Sequence, residues 1–117
     1  MRKEIESRLI RLSVDVNSMA GGLGRSILSQ YLSEQMIRSS TSAALNYGEA
    51  QSAESKKDFI HKTSIVLKEL RETSIGLRIL SESRVVEYNP DIAGLINECN
   101  QLTAIFQKTV TTARSRE

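Results

Sequence analysis

Apolar residues recur along this chain at helical spacing in four blocks separated by polar punctuation. Ile5, Leu9, Leu12, Val16 and Met19 step by four, three, four and three, which is one face of a helix with charged neighbours on the other. Gly21-Gly22 is predicted to end that helix, because glycine accepts the left-handed conformation common at helix C-termini. The second block starts near Leu23 and carries Ile27, Leu28, Tyr31, Leu32, Met36 and Ile37 before turning small, from Ser39 to Ala44 and on to Gly48. Serine and threonine compete for backbone hydrogen bonds and weaken a helix. The seam Met36, Ser40, Ala43, Tyr47 and Ala50 nevertheless keeps the period, so one helix is predicted to about Ala50. Its small half lets a neighbouring helix approach closely.

Ser55 followed by Asp58 fits a capping box placed directly before an apolar run. The third helix then carries Phe59, Thr63, Val66, Leu70, Thr73, Leu77 and Leu80 at heptad spacing. Asn89-Pro90-Asp91 is a strong start for the fourth: an N-cap, a proline at N1 and an acid in the first turn. Ile92, Leu95, Ile96, Cys99, Leu102, Phe106 and Val110 form its stripe, and the tail from Arg114 to Glu117 is expected to fray. Helices at about 4–20, 23–50, 55–82 and 90–113 with short connections imply an all-α, up-down-up-down antiparallel four-helix bundle.

Composition narrows the class. A chain of 117 residues is expected to form a single domain with a modest core. A lone Cys99 allows no internal disulfide, and its place on the apolar stripe makes it a small core residue. The net charge of +2 is too small to imply a nucleic-acid or membrane partner by itself. The start, Met1-Arg2-Lys3-Glu4, has no apolar run behind it and does not read as a secretory signal. No window approaches about 18 consecutive apolar residues. A cytoplasmic protein without a membrane partner is expected.

Catalytic chemistry finds little to work with. His61 is the one histidine, so the paired Glu-x-x-His turns of di-iron bundles are missing and no metal site or other cofactor is predicted. Gly21-Gly22-Leu23-Gly24 follows no strand and lacks a P-loop lysine. The chain is expected not to be an enzyme.

Interaction surfaces are better represented. The third helix carries a second apolar set, Ile65, Ile75 and Ile79, beside its seam. Either this widens the core-facing arc or it marks a subunit interface. Lys57, His61, Lys68, Arg71 and Arg78 form a basic stripe on the same helix, which Arg84 and the tail extend. Repeated around an oligomer, such a stripe multiplies phosphate contacts. It shares its face with Ile75 and Ile79, however, and no aromatics interleave it for base stacking. A solvated charged face is the plainer alternative. Asn46 with Glu49, Glu69 with Glu72, and Lys62 two turns before Glu69 suggest an inter-helix polar network, against ordinary solvated glutamates.

From Asn46-Tyr47-Gly48-Glu49-Ala50-Gln51 through Asp58-Phe59-Ile60-His61-Lys62 to Leu67-Lys68-Glu69-Leu70-Arg71-Glu72-Thr73, the chain resembles the bacterial four-helix bundle proteins first met within intervening sequences of 23S ribosomal RNA genes. The match covers about Ile5 to Phe106. The resemblance implies a ring-like homopentamer with no established enzymatic activity. A related branch, the accessory variability proteins of diversity-generating retroelements, implies a basic barrel that binds RNA and a reverse transcriptase, a nucleic-acid-processing protein. The family's patterned positions fall here on Asn46, Glu49, Phe59, Lys62, Glu69 and Glu72, implied to make polar and aromatic contacts between helices and subunits. Where relatives carry an aromatic pair before a leucine, this chain has Ile75-Gly76-Leu77. The glycine costs about 1 kcal/mol of helix stability relative to alanine. The expectation is an oligomeric interaction protein with RNA or a nucleic-acid enzyme as partner, or alternatively a structural scaffold without nucleic acid.

Overall fold

The structure, a computed structural model, describes residues 2–83 and 90–116. Four helices follow in order: α1 Arg2–Gly21, α2 Ile27–Gln51, α3 Lys56–Glu82 and α4 Pro90–Ser115. Each packs against its neighbours in chain order and α1 closes onto α4, while the diagonal pairs stay apart. Cross-helix contacts run in opposite senses, Ser39 with Thr73 and Glu49 with Lys62 between α2 and α3, and Arg71 with Gln107 and Ser64 with Arg114 between α3 and α4. This is the predicted antiparallel bundle, elongated to 46 × 23 × 19 Å.

The heptad residues of α1 are all buried, as are Ile92, Leu95, Cys99, Leu102, Phe106 and Val110 of α4. On α3 the seam from Thr63 to Leu80 is buried together with its neighbours Ile60 and Leu67, so the core-facing arc is wider than the seam, while Ile75 and Ile79 stay outside it. Phe59 departs from its seam: it is only half-buried and lies outside the core cluster.

Two boundaries differ from expectation. α2 starts at Ile27 rather than near Leu23, because the Ser26 side chain accepts the Ser29 amide at 3.0 Å and caps the helix there. α1 closes without a left-handed glycine. Gly22 N–H bonds to the Met19 carbonyl and Leu23 N–H to that of Ala20, tightening the last turn into 3₁₀ pairing, and no described glycine has positive φ. Ser55 caps α3 by accepting the Asp58 amide at 3.0 Å, while Asp58 reaches back to the Glu54 amide. Asn89, predicted to cap α4, and Arg84 lie outside the described residues.

The hydroxyl-rich stretch of α2 stays helical because its side chains bond back into the helix instead of competing with it. Ser40 donates to the Met36 carbonyl at 2.7 Å, and Thr63 and Thr73 do the same on α3. With their donors satisfied internally, these small residues can be buried at the helix contact. Ser39 and Thr73 meet at 2.6 Å across the α2–α3 seam, and Ser13 meets Thr41 at 2.9 Å across α1–α2. No helix of the described residues is long and apolar enough to cross a membrane.

Candidate functional site

Between α2 and α3 lies an open groove of about 530 Å3, lined in part by Tyr31, Leu32, Met36, Ile75 and Ile79. Tyr31 is 60% exposed, Ile75 52% and Ile79 42%. These residues face water because they sit on the outward sides of two helices whose inward stripes already fill the core. Gly76 forms the floor: a side-chain carbon there would come within 2.8 Å of Met36 Cγ. The residue that weakens α3 by propensity therefore lets Met36 of α2 lie directly on the α3 backbone. Ile65, grouped with Ile75 and Ile79 on sequence, is half-buried and does not line the groove.

Lys57, His61, Lys68, Arg71 and Arg78 are all exposed. They do not form one strip. Lys68 and Arg71 line the α2–α3 groove, and Arg71 also bonds to Gln107 of α4. Arg78 stands on the other side, beside Ile96 and Asn100. The ion pairs of the described residues engage Arg8, Arg11, Arg38 and Lys62. Lys57, Lys68, Arg71 and Arg78 of the α3 stripe thus have no carboxylate partner among the described residues. The surface can hold anions without first breaking an internal pair.

The expected polar network divides into separate contacts. Lys62 reaches Glu49 at 3.4 Å, joining α3 to α2, but does not bond to Glu69. Glu69, 4% exposed, is paired with Arg38 at 3.1 Å, and the same guanidinium also takes Glu72. Arg38 went unnoticed on sequence because it lies on α2, 31 residues from Glu69, and no local spacing signals the pairing. Asn46 turns inward on its own helix and donates to the Ser42 carbonyl at 2.9 Å. Cys99 donates its thiol to the Leu70 carbonyl at 3.1 Å, and burial pushes its pKa up to about 12, leaving it a packed, unreactive core residue. No group of three or more metal-ligating side chains occurs among the described residues.

Fold and surface together define an all-α antiparallel four-helix bundle protein. The model of the 23S rRNA-intervening sequence protein family matches residues 4–108, and the chain belongs to that family. Its fold is similar to the crystal structure of a protein of unknown function from the S23 ribosomal protein family of Bacteroides thetaiotaomicron. That similarity has a TM-score of 0.80 at 23% identity, over 95% of this chain and 99% of the other. Comparison with curated proteins gives no match.

Proposed function

We propose that this protein is a non-enzymatic interaction module of the cytoplasm that joins copies of itself through the α2–α3 groove and holds RNA on its α3 cations. The observation that carries the self-association reading is the outward apolar set of Tyr31, Ile75 and Ile79 around one groove. Contiguous apolar surface of this kind is buried when a partner covers it. The pentameric ring implied by the family resemblance gives such a surface a matching one on the next copy. Cations without carboxylate partners, repeated in every copy, suit a polyanion more than a neutral protein face. An RNA-processing enzyme could then be recruited through the bound RNA.

The scaffold without nucleic acid is favoured by a different observation: Lys68 and Arg71 line the same groove as the apolar set, so a covering subunit would take them out of reach. Native mass spectrometry of protein purified without nuclease separates the two. The reading expects an oligomer carrying RNA. A bare oligomer selects the scaffold, and a monomer overturns self-association. Ile75→Glu with Ile79→Glu, both on exposed positions, should yield a smaller species that is still helical. Charge reversal at Lys57, Lys68 and Arg71 should release the RNA, and undiminished retention would reject α3 as the binding surface.

A further inference from the structure

At the end of the bundle where α1 and α3 begin and α2 and α4 finish, a cavity of about 840 Å3 opens to solvent. That is within the range of sites for small organic ligands. All four helices supply its apolar floor: Ile5, Tyr47, Phe59, Ile105 and Phe106. Tyr47 and Phe106 meet edge to face with ring centroids 5.4 Å apart. Phe59, heptad-spaced with the α3 seam in sequence, lines this cavity instead of joining the core cluster.

Among the described residues, the charged groups of the rim carry one sign: Arg2, Lys56, Lys108 and Arg116 line the cavity and are exposed, and no described aspartate or glutamate lines it with them. None of the four is in an ion pair among the described residues. Lys56 donates to the Arg116 carbonyl, which holds the start of α3 against the end of α4. One polar group at the floor is also open to a ligand. The Tyr47 ring is packed away, at 8% exposure for the residue, but its hydroxyl makes no hydrogen bond among the described residues and is not itself buried, so it meets only water in the cavity. Burial raises its pKa, Arg2 opposes this, and nearby Glu6 adds a smaller push. The hydroxyl is therefore protonated at neutral pH and available as a donor.

We propose that this cavity binds a small amphiphilic anion, with an apolar chain or ring against Phe59, Ile105 and Phe106. Its carboxylate or phosphate head is held at the rim by Arg2, Lys56, Lys108 and Arg116, with the Tyr47 hydroxyl as a further donor. A purely apolar guest would leave the like charges uncompensated and Tyr47 unpaired. A bare inorganic anion would leave the aromatic floor uncovered. A partner helix, about 10–12 Å across with its side chains, would overfill this volume within two turns.

The test titrates the full chain with laurate, dodecyl phosphate and dodecyltrimethylammonium, each kept below its micelle concentration, by calorimetry and thermal unfolding. Laurate or dodecyl phosphate should bind and raise the unfolding temperature, and the stronger of the two identifies the head group. The cationic analogue should bind at least about tenfold more weakly. Lys108→Glu with Arg116→Glu, both exposed, should leave the free protein's unfolding unchanged and lower the affinity about tenfold. Thr109→Phe, which fills the cavity, should abolish binding. Equal binding of the anionic and cationic chains, no binding of either anion, or a falling unfolding temperature on titration would overturn the proposal. So would an affinity indifferent to the charge-reversed variant.

Discussion

The α2–α3 and α1–α4 seams join helices of the same bundle by opposite means. α2 and α3 make the most extensive contact of the fold, α1 and α4 the least. In the first, Gly76 admits Met36 onto the helix backbone and Ser39 meets Thr73 with both side chains buried. In the second, the main polar link is a clamp: Arg8 holds Glu98 at 3.0 and 2.7 Å and Gln101 at 3.2 Å. The seam opens on both sides of that clamp, into the 840 Å3 cavity at one end and one of about 600 Å3 beside Arg11, Met19 and Leu95 at the other. Small residues pull two helices together until dispersion contacts add up. A long, partly exposed ion pair spans a gap without closing it. Exposed apolar surface lies over the tight seam and open cavity volume beside the loose one.

The largest effect should come from overfilling the tight seam. Gly76→Val places a branched side chain where Met36 now lies, and overpacking should cost about 2 kcal/mol despite the better helix propensity. Denaturant unfolding measures it. Met36→Ala combined with Gly76→Val should lose less than the sum of the two single changes. Strict additivity would mean that the close approach is not what holds this seam.

Next in size, at about 1 kcal/mol over the first pH unit above the thiol's ordinary value, is a pH effect on the α3–α4 contact. Cys99 ionises at its ordinary value of 9.0 when unfolded and is pushed up to about 12 in the bundle. Between those values the unfolded chain loses a proton that the folded chain keeps, so stability falls as pH rises. The slope approaches about 1.4 kcal/mol per pH unit midway between the two values and should disappear in Cys99→Ala, as alkaline unfolding curves would show. A thiol reagent should react with native protein only at the rate of opening.

The smallest effect belongs to the loose seam. Arg8→Ala should cost about 0.5 kcal/mol, because the pair it breaks is partly exposed. Its signature is local: hydrogen exchange should accelerate in α1 while the middle of α3 stays protected. Equal acceleration in both helices would show that the bundle opens as one unit and that the contrast between seams has no dynamic meaning.

The number of helices and nearly all the core positions were legible in the chain, because a 3.6-residue period with caps at Ser55 and glycines at 21 and 22 is local information. The start of α2 was not: Leu23 continues the apolar pattern, and only the Ser26–Ser29 contact decides for capping. The basic and apolar residues of α3 were also legible as sharing a face. That Lys68 and Arg71 stand in the groove while Arg78 stands apart was not, since helix periodicity gives an angle and neighbouring helices give the surroundings.

What the sequence by itself determined was the set of helices and their buried faces, since hydrophobic period and capping act within a few residues. Tertiary structure alone decided what those faces leave over. Arg38 with Glu69, Gly76 beneath Met36, and Phe59 in a cavity beneath four cations bring together residues from different helices. Their meeting depends on how closely each pair of helices can approach, a property of two sequences in contact that neither helix carries alone.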